Sequence, residues 1–283
     1  MRFANLAAEL IFAWAISLNA SFAIAEVAPV AAGAGTKAQA SISSPPLDLS
    51  AYTLTFEDNF DKLDIVKDKE TGGAWYAPIH TPFGATKFLP PDARSVFEVK
   101  NGVLSLFASK VGDAWEGGLF QSVDSTGRGF AQQYGYFEMR AKFPRGPATW
   151  PAFWLLTQKS LTDKSFIHGE IDVVESYGDQ PNVVHMGLHV RQRGVPRWSF
   201  GKQSRVSDMY DEFHRYGVLI DPTWMVFYFD GMEIYRFPTL EQYKTPMYLL
   251  VDLAMADNDA LQRANPRNEM QIDYVRAYAR KPD

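Results

Sequence analysis

After about residue 50 the chain alternates apolar and polar residues at period two, and long amphipathic helical periods are missing. "VFEVKNGVLSLFAS" alternates on both sides of Asn101-Gly102, which predicts a hairpin with a two-residue turn. "WMVFYFDGMEIYRF" predicts a second hairpin, turning at Asp230-Gly231. "YGYFEMRAKF", "MYLLVDLAM" and "MQIDYVRAYA" read as three more strands. Many strands, short turns and no internal linker predict one all-β domain, a sandwich or a barrel. Its core comes from burial between sheets.

The start of the chain has a different pattern. Arg2 precedes the apolar run "LIFAWAISL", which is too short to span a bilayer, and "AIA" before Glu26 supplies small residues for cleavage. Residues 1–25 are therefore expected to be an export signal, although Glu9 and the single arginine weaken the pattern, and the protein is expected to be secreted or periplasmic. Residues 26–49, rich in Ala, Gly, Ser and Pro, read as a flexible leader that cannot build a core. That leaves residues 50–283 as the folded domain, with no further segment apolar enough to cross a membrane.

Composition narrows the partners. The formal charge is -5, against the basic footprint of a nucleic-acid or anionic-membrane binder. There is no cysteine, hence no disulfide, thiolate metal site or cysteine nucleophile. Aromatic residues at 14% suit a packed β core or platforms for sugar rings.

The chemistry concentrates in "HGEIDVVES", residues 168–176. Side chains of a strand alternate faces, so Glu170 and Asp172 share one face while Ile171 and Val173 share the other. A regular strand would send Glu175 into the core. One extra residue, a bulge near Val173-Val174, returns it to the acidic face. If "VVHMGLHV" pairs back across "YGDQPN", Glu175 lies opposite His185, Asp172 opposite Gly187 and Glu170 opposite His189. Three acids and two imidazoles then share a face, with space at the glycine. Glycoside hydrolysis with retention needs two carboxyls about 5–5.5 Å apart, one protonated and one ionised. A third acid between them helps one keep its proton. Two other readings of this pattern stand beside catalysis: acids solvated on an open sheet face, and a metal site of Glu, Asp and His ligands.

"GEIDVVESYGDQPNVVHMGLH" resembles the active-site signature of glycoside hydrolase family 16 in its bulged E-x-D-x-x-E form, that of laminarinase-like, agarase-like and carrageenase-like members. "LTFEDNFD", "NGVLSLFAS", "EGGLFQS", "YGYFEMRAKFPRGPATWPAFWLL", "FHRYGVLIDPTWMVFYFDG" and "IDYVRAYAR" resemble other strands of the family in order. The resemblance implies a β-jelly-roll sandwich of two curved antiparallel sheets, concanavalin A-like. It implies a secreted retaining endo-β-glycanase acting on β-1,3- or mixed-linkage glucan or a bacterial exopolysaccharide such as succinoglycan. A transglycosylase and a non-catalytic glucan-binding module are its alternatives.

By the same resemblance Glu170 is the nucleophile, Asp172 the assisting acid, Glu175 the acid/base and His189 a lining histidine. Trp150 and Trp154 fall in the family's cleft-lining segment. Trp115 and Trp198 lie in loop-like contexts and, with His185, are candidate sugar contacts. Arg191, Arg193 and Arg197 read either as a solvated loop or as a cleft rim for an anionic substituent. Asp273 and the Gly102 carbonyl match a structural calcium site; catalysis itself is expected to need no cofactor, and the protein to be a monomer. The chain departs from the family at Arg94-Ser95, where members often carry Asn.

Overall fold

The computed structural model describes residues 45–77, 82–92, 96–191 and 197–282. The expected export signal, most of the leader, Arg94-Ser95 and Arg193 lie outside the described residues. Two sheets face each other, one of ten strands and one of eight. Among the described residues helix is confined to the short Lys159–Thr162 turn and two 3-10 segments, Glu241–Tyr243 and Asp259–Arg263. Among the described residues no helix is long and apolar enough to cross a membrane.

Both predicted hairpins form. Asn101 and Gly102 have φ of 54° and 71°, and Asp230 and Gly231 have 50° and 79°. Two consecutive left-handed residues make the turn whose twist matches its strands. The pairing is antiparallel except at two small edges: Ile65–Lys67 runs parallel to Trp75–Ala77, and Thr86–Phe88 parallel to Ala114–Gly117. Leu47, within the expected leader, donates its amide to the Gly231 carbonyl at 2.8 Å.

The eight-stranded sheet positions the site. Its order is Trp198–Arg205, Val183–Arg191, His168–Glu175, Thr149–Thr157, Met247–Met255, Leu119–Gln121, Trp75–Ala77 and Ile65–Lys67. Phe153, Leu155, Ile171, Val184, Met186, Leu188, Val251 and Leu253 point from it into the core. There they meet Phe137, Met139, Ala141, Val218, Phe227 and Val275 of the larger sheet. Alternation then sends Trp150, Trp154, Glu170, Asp172, His185, His189 and Asp252 to the opposite face.

Trp115 corrects an expectation. Val111 pairs with Ala114 across Gly112-Asp113, so Trp115 lies on the strand Ala114–Gly117 and is 4% exposed in the main core. It is a packing residue, remote in role from any sugar platform.

Candidate active site

The register of the acidic strand is the predicted one. Glu170 pairs with His189, Asp172 with Gly187 and Glu175 with His185. On the other flank Leu156 pairs with Glu170, Trp154 with Asp172, Phe153 with Val174 and Ala152 with Glu175. Val173 has no partner in that series, so it is the extra residue of the bulge. Val173 and Val174 both enter the core, at 3% and 0% exposure. Two consecutive inward side chains restore the parity that brings Glu175 back to the face of Glu170 and Asp172.

This gives a sharp expectation. Deleting Val173 converts the strand to a regular E-x-D-x-E alternation, with Val174 inward and all three acids still on one face. The variant should fold, lose about 1.5–3 kcal/mol of stability with the buried side chain, and keep measurable activity. Chemical denaturation and a reducing-sugar assay check both parts. Complete loss of activity in a folded deletion variant would contradict the parity argument.

Each acid has a distinct setting. Glu175 Oε1 accepts from the Trp150 indole N–H at 2.8 Å. Burial is the main force on Glu175, reinforced by the charges of Asp172 and Glu170. Against the opposing pull of the Trp150 hydrogen bond and of His189, they push it from 4.5 to about 8. Glu170 is also raised by burial and by Asp172. It is restrained by Arg191, whose Nη1 donates to Oε2 at 2.6 Å and Nη2 to Oε1 at 3.5 Å. His189 Nε2 lies 3.0 Å from Asp172 Oδ2, and its Nδ1 lies 2.8 Å from Ser199 Oγ. Burial works against the charged imidazole, but the hydrogen bond and charge of Asp172 and the charge of Glu170 outweigh it.

Gly187 is needed opposite Asp172, because a methyl group there would collide with Asp172 Oδ2 and crowd His189. His185 sits between Gln180 and Gln203, edge-on to Tyr177, and is held toward its neutral form by burial. Tyr177 in turn stacks on Trp150 at 5.9 Å. Trp154 donates its indole N–H to Asp252 Oδ1 at 2.8 Å. Trp150 and Trp154 therefore flank Ala152 on the cleft face, each tied to an acid on a neighbouring strand.

An acid held by an indole with its pKa raised to about 8, a guanidinium-bound acid and a third carboxylate between them are the kinds of group that proton transfer and nucleophilic attack require.

Comparison with known proteins then decides the family. The model for "Glycosyl hydrolases family 16" matches residues 89–276. The chain is 33% identical to the endo-1,3-1,4-beta-glycanase EglC of Rhizobium meliloti over 99% of its own length and 62% of that protein's. It is 34% identical to ExsH, an endo-1,3-1,4-beta-glycanase of the same organism, over 84% of its own length and 54% of the relative's. This chain belongs to glycosyl hydrolase family 16. It spans little more than half of the length of these two relatives. The catalytic domain of an endo-1,3-beta-glucanase from Thermotoga petrophila superposes with a TM-score of 0.66 at 22% identity, covering 82% of this chain and 99% of that one. That likeness carries the sandwich fold.

Within this family 16 domain several expected contacts move. Trp198 pairs with Val190, so it points to the side opposite His189 and packs 6.1 Å from Phe237. It is 38% exposed, at the sandwich edge and outside the acidic cleft. Arg197 is exposed just before that edge strand. Arg191 is bonded to Glu170 and does not stand on the rim as a reader of substituents.

Asp273 is a bulge residue, unpaired between Ile272 and Tyr274, and its Oδ2 receives Arg140 Nη1 at 2.5 Å. A guanidinium already bound to that carboxylate does not fit a calcium ligand. Gly102 serves the hairpin turn.

A different ligand set exists by geometry, since atoms of Glu170, Asp172 and His189 lie within 4.8 Å of one another. Its donors already have partners, however: Arg191 on Glu170, and His189 on Asp172.

Three cleft groups were not singled out from sequence. His168 lies opposite Arg191, with Nδ1 3.1 Å from Ser160 Oγ. Its Nε2 is 3.9 Å from Glu170 Oε2, but burial and the charge of Arg191 pull its pKa to about 4, so the contact is with a neutral ring. Tyr243 donates to the His189 carbonyl at 3.2 Å beside the acids. Asp252, 1% exposed, is pushed well up by burial and further by Asp172. A lone acid within the fully buried strand "MYLLVDLAM" was the available signal.

Proposed function

We propose that this family 16 domain is a retaining endo-β-glycanase whose substrates are β-1,3- or mixed-linkage β-glucans. Two relatives are endo-1,3-1,4-beta-glycanases by name, and the family match spans most of the domain. The observation that carries the mechanism is the contrast between two acids on one face. Glu175 keeps its proton near neutrality, whereas Glu170 is bound by Arg191.

Glu170 attacks the anomeric carbon while Glu175 gives its proton to the leaving glycosidic oxygen. The bond to the leaving sugar breaks and a covalent glycosyl-Glu170 ester forms. Glu175, now ionised, takes a proton from water, which attacks the same carbon and releases Glu170. The product keeps the β configuration. Asp172 and its partner His189 lie between the two acids, and the charge of Asp172 helps hold the proton on Glu175. Transglycosylation uses the same groups with a sugar hydroxyl in place of water. The expected export signal supports a site of action outside the cytoplasm, where such polymers lie.

The test is a panel of laminarin, lichenan, agarose, carrageenan and succinoglycan with product sizing. Early release of intermediate-length oligosaccharides from laminarin or lichenan supports the reading; no cleavage of any of them contradicts it. The pH profile adds a second check. The working acid is protonated Glu175, so kcat/KM should fall as pH rises through about 8. A flat profile beyond that pH would remove Glu175 from the acid role.

A further inference from the structure

We infer that Arg191 is a positioning residue that favours the ionised form of Glu170 and anchors one carboxylate oxygen so that the other can attack. This inference rests on the nucleophile role proposed for Glu170 and extends it to a residue outside the acidic motif.

Glu170 faces a crowded set of groups. His168 and Asp172 come from its own strand, and His189 and Arg191 from Val183–Arg191. Leu156 lies opposite on Thr149–Thr157, and Tyr248 and Tyr243 approach from Met247–Met255 and the 3-10 turn Glu241–Tyr243. Asp172 and burial both disfavour a charge on Glu170. Both therefore favour the protonated form, and a protonated carboxyl cannot attack an anomeric carbon.

The described groups that could oppose this are few. His168 is neutral, and His189, whose charge also favours ionised Glu170, is bonded to Asp172 and loses that charge as pH rises. The two tyrosines are held in their neutral form by burial and by the neighbouring acids. Arg191 alone among the described residues facing Glu170 carries a charge that pH does not remove.

Its geometry is specific. Nη1 is 2.6 Å from Oε2, while Nη2 is 3.5 Å from Oε1. One oxygen is therefore anchored firmly, and the other, loosely held, remains the nucleophile. The backbone supports this placement. His168 pairs with Arg191 one step beyond the Glu170–His189 pair on the same face, so the arginine reaches back along the strand to the acid. The Arg191 side chain is 35% exposed and that of Glu170 13%, which limits screening by solvent.

The test is the acidic limb of the kcat/KM profile in Arg191→Gln and Arg191→Lys, measured on a glucan cleaved by the wild type. In Arg191→Gln the limb should move up by about one pH unit or more, the scale of removing an opposite charge at this range. Activity at a pH well below the limb should then fall about tenfold or more, and the loss should shrink at a pH well above it. Arg191→Lys keeps the charge without the fork. Its limb should stay near that of the wild type while kcat falls.

A loss that is the same at every pH, with the limb unmoved, overturns the inference and leaves Arg191 a packing residue. If Arg191→Gln does not fold, the Lys variant decides alone: a limb displaced as far as that expected for the Gln variant contradicts the inference. The proposed function is tested separately. An active Glu170→Gln variant would remove the nucleophile itself, whereas an inactive one with an unmoved limb in Arg191→Gln rejects only the role of Arg191.

Discussion

Glu170→Gln is expected to lower kcat on glucan by roughly 10,000-fold or more, the scale seen when a covalent nucleophile is lost. An amide of the same shape keeps the cleft surface and can still accept from Arg191 Nη1, but it cannot displace the leaving sugar. Binding of laminarin oligosaccharides should therefore persist, and the fold should be intact by circular dichroism. The argument depends on Glu170 being on the same face as Glu175, which the pairings with His189 and His185 supply. Normal turnover by this variant would show that another group attacks.

Glu175→Gln separates two consequences of one environment. On polysaccharide, whose leaving group is an alkoxide unless protonated, kcat should fall by about 100- to 10,000-fold, the usual contribution of a positioned acid. On an aryl β-glycoside with an acidic phenol the first step needs little protonation, so its loss should be far smaller. Equal losses on both substrates would deny Glu175 the acid role.

The same substitution should stabilise the protein in alkali. The pKa of Glu175 in the fold is about 8, above its ordinary 4.5, so the folded state binds that proton more tightly than the unfolded chain does. The resulting stability is fully present below about 4.5 and is lost as pH rises through about 8. Glutamine carries no such dependence. The midpoint of thermal unfolding should match the wild type near pH 4.5 and exceed it at pH 9. The gap should be equivalent to a few kcal/mol, since each tenfold difference in proton affinity between the folded and unfolded chain is worth about 1.4 kcal/mol. A variant less stable than the wild type at pH 9 would contradict the raised proton affinity of Glu175.

The site and the fold were legible in the sequence wherever period two and turn chemistry agreed. Asn101-Gly102 and Asp230-Gly231 each supplied two left-handed residues between alternating runs, and both hairpins formed. The acid face was legible because its parity fails by one residue, and the facing histidines then allow one register.

What was hidden has particular causes. Trp115 follows a Gly112-Asp113 turn that leaves only a four-residue strand, too short to show alternation. The sequence after Arg191 does not reveal which residue resumes pairing, and the resumed pairing opposite Val190 sends Trp198 away from the cleft. Arg191 was readable, since it lies two residues beyond His189 and so on the same face, but its neighbours Arg193 and Arg197 made it look like part of a charged loop. Asp252 was masked by a strand buried on both sides, where apolar runs carry no facial information. The partner of Asp273 is an arginine 133 positions away, a relation no local pattern contains.

The most direct measurement is mass spectrometry of the enzyme after reaction with an activated 2-deoxy-2-fluoro β-glycoside of laminaribiose. The fluorine slows the second step more than a good leaving group slows the first, so the ester accumulates. The account predicts a stoichiometric adduct on the peptide containing residues 168–176, localised to Glu170, formed in wild type and absent in Glu170→Gln. An adduct on any other residue, or inactivation without an adduct, would contradict it.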